Sequence, residues 1–241
     1  MKGSDKSKLK AKWIEKAKKN AALEAVKHVK DGFVVGLGSG STAAYAIKEI
    51  GRLIKQKKWH VLGVPTSHQA FQLAVDCGIP ITTLDEHPRL NLTIDGADQI
   101  DPDLNLIKGM GGALTREKIV ASASKQNIII ADETKLAKKL GTKQPVPLEV
   151  LPLAAVLIQT RIKQLKGKPV LRECEGKVGP VVTDNGNFIL DVDFGPIPNP
   201  NELNKMLKLL PGVVETGLFI GTADIVYVGT TSHVHRFTRK K

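Results

Sequence analysis

Four short stretches of this 241-residue chain carry residue types and spacings that can do chemistry. The first is Gly36-Leu37-Gly38-Ser39-Gly40-Ser41-Thr42, which follows an apolar run at 33–35 and opens a helical pattern. Glycines let backbone N–H groups turn toward a ligand, and a helix N-terminus favours an anion. Ser39, Ser41 and Thr42 add hydroxyls, so the stretch reads as a phosphate cradle or as a tight turn with a serine cap. It lacks the Gly-Lys-Ser/Thr ending of a Walker loop. Gly38-x-Gly40-x-x-Ala43 fits the looser dinucleotide fingerprint. The next predicted strand, 60–64, however, ends without the acidic residue that would hold a ribose. The second stretch is Asp95-Gly96-Ala97-Asp98, directly after Leu92-Thr93-Ile94. Two carboxylates at a strand end, three apart across a glycine, suit one pocket or a turn followed by a helix cap. Asp101 and Asp103, on either side of Pro102, read as turn residues.

The third stretch runs from Lys108 through Gly109, Met110, Gly111 and Gly112 to Thr115, Arg116, Glu117 and Lys118. Its glycines again bring N–H groups to a ligand, and Lys108 suits an oxyanion. Glu117 lies about one turn into the following helix. A glutamate on an amphipathic helix is usually solvated, often with a cation three or four residues away. Here those neighbours are Ala113, Leu114, Val120 and Ala121, which makes Glu117 a general-base candidate beside the ordinary solvated reading. The fourth stretch, Asp132-Glu133-Thr134-Lys135, reads first as a helix cap just past a strand.

These stretches sit at the joints of an alternating pattern. Residues 9–29 predict an amphipathic helix, with Leu9, Trp13, Ala17 and Ala21 four apart. Strands are expected at 33–35, 60–64, 82–84, 90–94, 104–107 and 127–131, with helices at 43–54, 67–77 and 114–124 among them. Such alternation predicts a Rossmann-like, mostly parallel sheet whose ligands bind at the carboxyl ends of its strands. Pro145, Pro147 and Pro152 then punctuate a connection. Beyond it come a helix at 153–165, a strand at 168–172 and runs at 181–183 and 188–192 around Asp184-Asn185-Gly186-Asn187. Asn-Gly between β-rich runs signals a hairpin. A helix at 202–210 and a strand at 213–219 follow. The mix predicts a smaller ferredoxin-like α+β domain. The expected division is a Rossmann-like domain of residues 1–146 plus 223–241 and a small domain of 147–222. The final run, 223–228, reads as a strand of undecided sheet.

Composition narrows the function classes. Net charge is +12, but the first thirty residues hold ten lysines against Asp5, Glu15 and Glu24, a balance of +7. Arg236, Arg239, Lys240 and Lys241 add +4, so the body between the ends carries +1. A nucleic-acid binder carries its charge on the folded body with aromatics to stack on bases, and aromatics are 4% here, so nucleic acid is not an expected partner. No apolar run approaches the roughly 20 residues that span a bilayer, and the first ten residues lack a signal-peptide core, so no membrane partner is expected. Cys77 and Cys174 read as reduced thiols of a cytoplasmic protein. His233 and His235 read as part of a surface segment rather than a metal pair, and no metal site is expected.

GSGSTA (38–43), DGADQID (95–101), KGMGGALTREK (108–118) and ADETK (131–135), in this order and spacing, resemble the A-type ribose-5-phosphate isomerases. The resemblance runs from about Lys18 to near the chain end and includes VTDNGNFILDV (182–192) and PGVVETGLF (211–219). Departures are Met110 inside the glycine run and the longer basic ends. The resemblance implies an aldose–ketose isomerase of the non-oxidative pentose phosphate pathway, interconverting D-ribose 5-phosphate and D-ribulose 5-phosphate through a cis-enediolate. It implies no cofactor, no metal, and a homodimer or homotetramer. It places the phosphate on Ser39, Gly40, Ser41 and Thr42, with Lys18 the best match for an approaching lysine and Lys19 the next. Asp95, Gly96, Ala97 and Asp98, with Lys108, Gly109, Met110 and Gly111, would line the sugar. Glu117 would be the catalytic base, Lys108 an oxyanion partner, Asp95 or Asp98 a helper in ring opening, and Lys135 a further substrate contact.

Overall fold

A computed structural model describes residues 2–176 and 178–239. Met1, Lys177, Lys240 and Lys241 lie outside the described residues, and with them two of the four cations counted at the C-terminal end. In chain order the elements are α1 (Lys2–Val26), β1 (Val34–Leu37), α2 (Ser41–Lys57), β2 (Leu62–Pro65), α3 (His68–Asp76), β3 (Leu92–Gly96), β4 (Gln99–Ile100), β5 (Leu106–Ile107), α4 (Leu114–Ser122) and β6 (Asn127–Asp132). The second half adds β7 (Val146–Val150), α5 (Ala155–Gln164), β8 (Lys168–Leu171), β9 (Phe188–Asp193), α6 (Pro200–Lys208), β10 (Val213–Thr216), β11 (Leu218–Phe219), β12 (Ile225–Gly229) and β13 (Val234–Thr238).

The chain forms two compact units: residues 1–96, 119–135 and 223–241, and residues 97–118 and 136–222. Residues 97–118 and 136–146 thus belong with 147–222, whereas the expected division grouped them with the first domain. They do so because β5 pairs with β11 and β7 with β9 and β10.

The first unit is built on a six-stranded sheet in the order β13-β12-β6-β3-β1-β2. All neighbours are parallel except β13, which runs antiparallel to β12 on the edge. Its strands are apolar runs because both faces are covered: Val35, Leu37, Ile94, Ile128, Ile130, Val226 and Val228 are all buried. The helix α1 packs by its small residues, burying Ala17, Ala21, Ala22 and Ala25. The approach is so close that a Cβ on Gly229 would fall 1.9 Å from the Ala17 carbonyl oxygen. The run at 223–228 therefore joins the main sheet as β12, and the segment expected at the surface around His233 is its edge strand. Residues 82–84 form no strand but lead into a turn at 84–86. The Thr82 hydroxyl donates to Glu86 Oε2 at 2.7 Å and lies 2.8 Å from His87 Nδ1, and the local chain is spent on closing that turn.

The second unit contains the order β7-α5-β8-β9-α6-β10, with the four strands arranged β10-β7-β9-β8, all antiparallel. This is the split βαβ plait of a ferredoxin-like domain. Between its sheet and helices Leu148, Val150, Ile158, Ile162, Leu190, Val192 and Leu207 are buried. The proline-rich connection proves to contain β7: Pro147 sits inside the strand, where its carbonyl accepts the Gly217 N–H at 2.6 Å. The strand expected at 213–219 divides at Gly217. The part before it joins the four-stranded sheet, and the part after it joins a three-stranded sheet, β11-β5-β4. A Cβ at 217 would lie 2.4 Å from the Lys108 carbonyl oxygen, so the crossing requires glycine. The Asn-Gly turn closes with Thr183 N–H donating to Asn187 O at 2.8 Å, but β9 finds its long partners in β7 and β8.

Candidate active site

In the first unit, the glycine stretch leaves β1 and enters α2 through Gly40, whose φ is +90°. Gly38 N–H donates to Ile94 O at 3.0 Å, which brings the loop against the end of β3. Asp95 is buried there, and its Oδ1 accepts the N–H groups of Ser39 at 3.1 Å and Gly96 at 2.7 Å. A Cβ on Gly38 would lie 2.2 Å from Asp95 Oδ1 and 2.6 Å from Asp95 Cα. Gly38→Ala is therefore expected to displace Asp95, cost about 1–3 kcal/mol of stability and weaken sugar-phosphate binding. Urea titration and calorimetric binding of ribose 5-phosphate measure the two effects.

The hydroxyls are organised from below. Ser39 Oγ lies 2.8 Å from Thr66 Oγ1 and 2.6 Å from Ser67 Oγ. Thr66 in turn donates to Leu37 O, and Ser67 caps α3 by accepting Ala70 N–H. Gly40 N–H donates to Gln69 Oε1 at 3.0 Å. The next N–H groups, of Ser41 and Thr42, open α2 and have no intrahelical acceptor. Lys18 Nζ reaches Ser41 Oγ at 3.1 Å and Glu15 Oε1 at 2.8 Å. Hydrogen bonds from Lys18 and the Tyr45 hydroxyl hold the Glu15 carboxyl below its ordinary range. A helix N-terminus with hydroxyls and one ammonium is suited to a dianionic phosphate. Lys135 lies in a 3₁₀ turn after β6, half-buried, with no ion-pair partner among the described residues. Asp132, just before it, is buried and accepts the Thr134 N–H and hydroxyl.

In the second unit, Asp98 N–H donates to Ile107 O, and Asp98 Oδ2 accepts the Met110 N–H at 3.0 Å. Lys108 and Glu117 are both buried, and Lys108 Nζ lies 3.2 Å from Glu117 Oε1. The ammonium also lies 5.5 Å from the centre of the Phe219 ring. A carboxylate and an ammonium out of water are costly to bury, and their direct contact offsets part of that cost. They can exchange a proton with a bound molecule and stabilise negative charge on it.

The residues flanking Glu117 fix the first turn of α4. Thr115 Oγ1 donates to the buried Glu149, which also accepts from Thr183, Asn185 and Asn187. Arg116 donates to Asn185 Oδ1 and Asp184 O, both at 2.7 Å. Lys118 Nζ donates to Glu215 Oε1 at 2.9 Å and to the carbonyls of Thr216 and Leu218, and lies 4.6 Å from the Phe219 ring centre. Glu149 lies outside every stretch singled out above, and Lys118 and Glu215, although inside quoted stretches, carry no local signal of an anchoring role. Only their partners, far away in sequence, reveal the role.

Burial raises the Glu215 carboxyl, but Lys118, the Thr216 N–H and Lys208 together outweigh it and leave the group below its ordinary value of 4.5. A carboxyl lowered on folding contributes stability above its unfolded pKa and loses it as pH falls through the folded one. Urea unfolding is thus expected to show wild type losing stability below about pH 4.5. Glu215→Gln is expected to be about 1.5–3 kcal/mol less stable at pH 7, with the gap closing in acid.

The structure thus pairs Ser39 with Asp95, Lys18 with Ser41, Asp98 with Met110 and Lys108 with Glu117. Residues 62–233 match the family model of ribose 5-phosphate isomerase A (phosphoriboisomerase A). The chain belongs to this family. It is 50% identical over 214 residues to the ribose-5-phosphate isomerase A of Methanothermobacter thermautotrophicus, covering 89% of this chain and 94% of that one. The structure of ribose 5-phosphate isomerase A from Methanocaldococcus jannaschii superposes with a TM-score of 0.90 at 45% identity, over 93% of this chain and 99% of that one. A D-ribose-5-phosphate isomerase solved in complex with phospho-erythronic acid gives 0.92 at 46% identity, over 94% and 99%. Among the described residues no helix is long and apolar enough to cross a membrane.

Proposed function

We propose that this chain interconverts D-ribose 5-phosphate and D-ribulose 5-phosphate, and that Glu117 is the base. The observation that carries the reading is the buried Lys108–Glu117 pair at 3.2 Å, in a chain of this family. Glu117 takes the C2 proton of the open-chain aldose. The C2–H electron pair forms the C1=C2 double bond of a cis-enediolate, and the carbonyl π pair moves to O1. Glu117 returns the proton to C1 as the electrons flow back and the C2 carbonyl forms, while the O2 proton ends on O1. Lys108 and N–H groups of the 109–111 loop stabilise the developing oxyanion. Asp95 or Asp98 assists ring opening. Ser39, Gly40, Ser41 and Thr42, with Lys18, hold the phosphate. Gly96, Ala97 and Met110 line the sugar, and Lys135 adds a substrate contact. The chain acts in the cytoplasm as a homodimer or homotetramer, in the non-oxidative pentose phosphate pathway.

The test is ribulose 5-phosphate formation from ribose 5-phosphate with EDTA present. Conversion supports the reading. Conversion that EDTA abolishes replaces it with a metal-assisted route. Binding of ribose 5-phosphate with no conversion replaces it with a sugar-phosphate sensor.

A further inference from the structure

The loop that carries Met110 and Gly111 is a four-residue turn whose orientation is set from outside. Gly112 N–H donates to Gly109 O at 3.0 Å, closing a β-turn with Met110 and Gly111 at its centre. Neither central residue has a positive φ, whereas Gly109 (+102°) and Gly112 (+79°) on either side do. The turn is therefore type I. Types I and II differ by a flip of the central peptide, and type II asks for glycine at its third position, which Gly111 supplies. Type I is the commoner turn and Gly112 suits its fourth position, but the local sequence does not forbid the flip.

Arg172, which directly follows β8, reaches this turn from outside. Its Nη1 donates to Met110 O at 2.9 Å and to Gly109 O at 3.0 Å. Its Nε and Nη2 are held by Asp191 Oδ2 and Oδ1 at 2.8 and 2.5 Å, a two-pronged guanidinium–carboxylate pair. The side chain is 13% exposed, so its geometry is fixed. The first loop peptide is clamped at both ends, Gly109 O by Arg172 and Met110 N–H by Asp98. The central peptide is held only at Met110 O. A trans peptide points its N–H opposite its carbonyl, so the Gly111 N–H is aimed away from Arg172, and it has no acceptor among the described residues.

We infer that Arg172 is a positioning residue. By holding Met110 O it locks the central peptide of the turn, and so keeps the Gly111 N–H directed at the oxygen that becomes negative during isomerisation. This rests on the isomerase reading for the oxyanion, but the lock itself does not. If the central peptide flipped, the loop would present a carbonyl where charge develops, which repels it. Asp191 acts one step further out, aiming the guanidinium.

The experiment combines kinetics and structure on Arg172→Gln, with Asp191→Asn as the milder second variant should the first not fold. The expected result is a kcat about ten- to a hundredfold lower with KM for ribose 5-phosphate within about threefold, less than the roughly 10²–10³ of deleting an oriented donor outright, because the unlocked turn still visits the native orientation. Thermal midpoint should fall, because Asp191 loses its two-pronged partner, and added guanidinium ion should restore part of the rate to Arg172→Gln. A crystal structure should show Gly111 at positive φ or the turn in two orientations. An unflipped turn with wild-type kcat overturns the inference. A flipped turn with wild-type kcat keeps the lock but overturns the positioning role, and it also removes the Gly111 N–H from the oxyanion contacts of the functional reading. A rate loss matched by an equal rise in KM, with no response to guanidinium, makes Arg172 a binding-loop prop and overturns the inference as well.

Discussion

Glu117→Gln is expected to lower kcat for ribose 5-phosphate by about 10²–10⁴-fold or more, the range a positioned general base supplies, while leaving the sugar phosphate bound. The substitution keeps the size of the side chain and leaves an amide oxygen to accept from Lys108, now 3.2 Å from Oε1. It removes the one property the mechanism needs, a lone pair basic enough to take a proton from carbon. The first turn of α4 remains held by Thr115, Arg116 and Lys118, so a loss of rate will not reflect a displaced helix. Kinetics with isothermal binding beside them separate the cases. A fall in kcat with a dissociation constant within a few fold is the signature of an interaction made in the transition state. In deuterium oxide the variant should also lose solvent exchange of the C2 hydrogen. Near-normal turnover would sink the assignment of Glu117.

Lys108→Met is expected to have the second largest effect, and on two quantities at once. Without the ammonium, negative charge on the reacting oxygens loses a partner, which costs about 10²–10³ in kcat. The Glu117 carboxylate also stays buried without its counter-charge, which costs about 3–5 kcal/mol of stability. The two effects come apart in a cycle of variants. Lys108→Met combined with Glu117→Gln should recover much of the lost stability, because no charge is stranded. It should recover none of the rate. Urea titrations and initial rates on the four proteins supply the cycle. A Lys108→Met protein as stable and as fast as wild type would show that the pair does neither job.

The elements that place these groups differ in how far local pattern reveals them. The parallel strands β1, β3, β6 and β12 are apolar runs bounded by glycine and aspartate, and α2 and α4 begin right after glycine loops, so strand, loop and helix follow one another legibly. Pro147 misleads in the other direction. A proline ordinarily argues against an interior strand, yet β7 is the strand between β9 and β10, because burial of all five of its residues outweighs the missing donor. Residues 213–219 read as one strand because the break at Gly217 comes from Lys108, more than a hundred residues earlier in the chain, crossing its backbone.

The same division runs through the chemistry. Residue type and spacing marked Gly38, Ser39, Asp95, Lys108 and Glu117 as candidates, since a glycine loop ahead of a helix, a carboxylate at a strand end and a glutamate without a local cation are patterns of near neighbours. The partner of Glu117 was legible only as absence: no cation lies three or four residues away on its helix, and the fold supplies Lys108 from the loop before it. Glu149, Arg172 and Glu215 stayed silent because their roles are long-range. Arg172 meets Met110 across 62 residues of chain, and Lys118 meets Thr216 across 98. Local sequence encodes turn, cap and periodicity, whose forces act over a few residues. Which buried charge faces which, and which way a peptide between glycines points, is set by side chains that arrive from elsewhere once the core has closed.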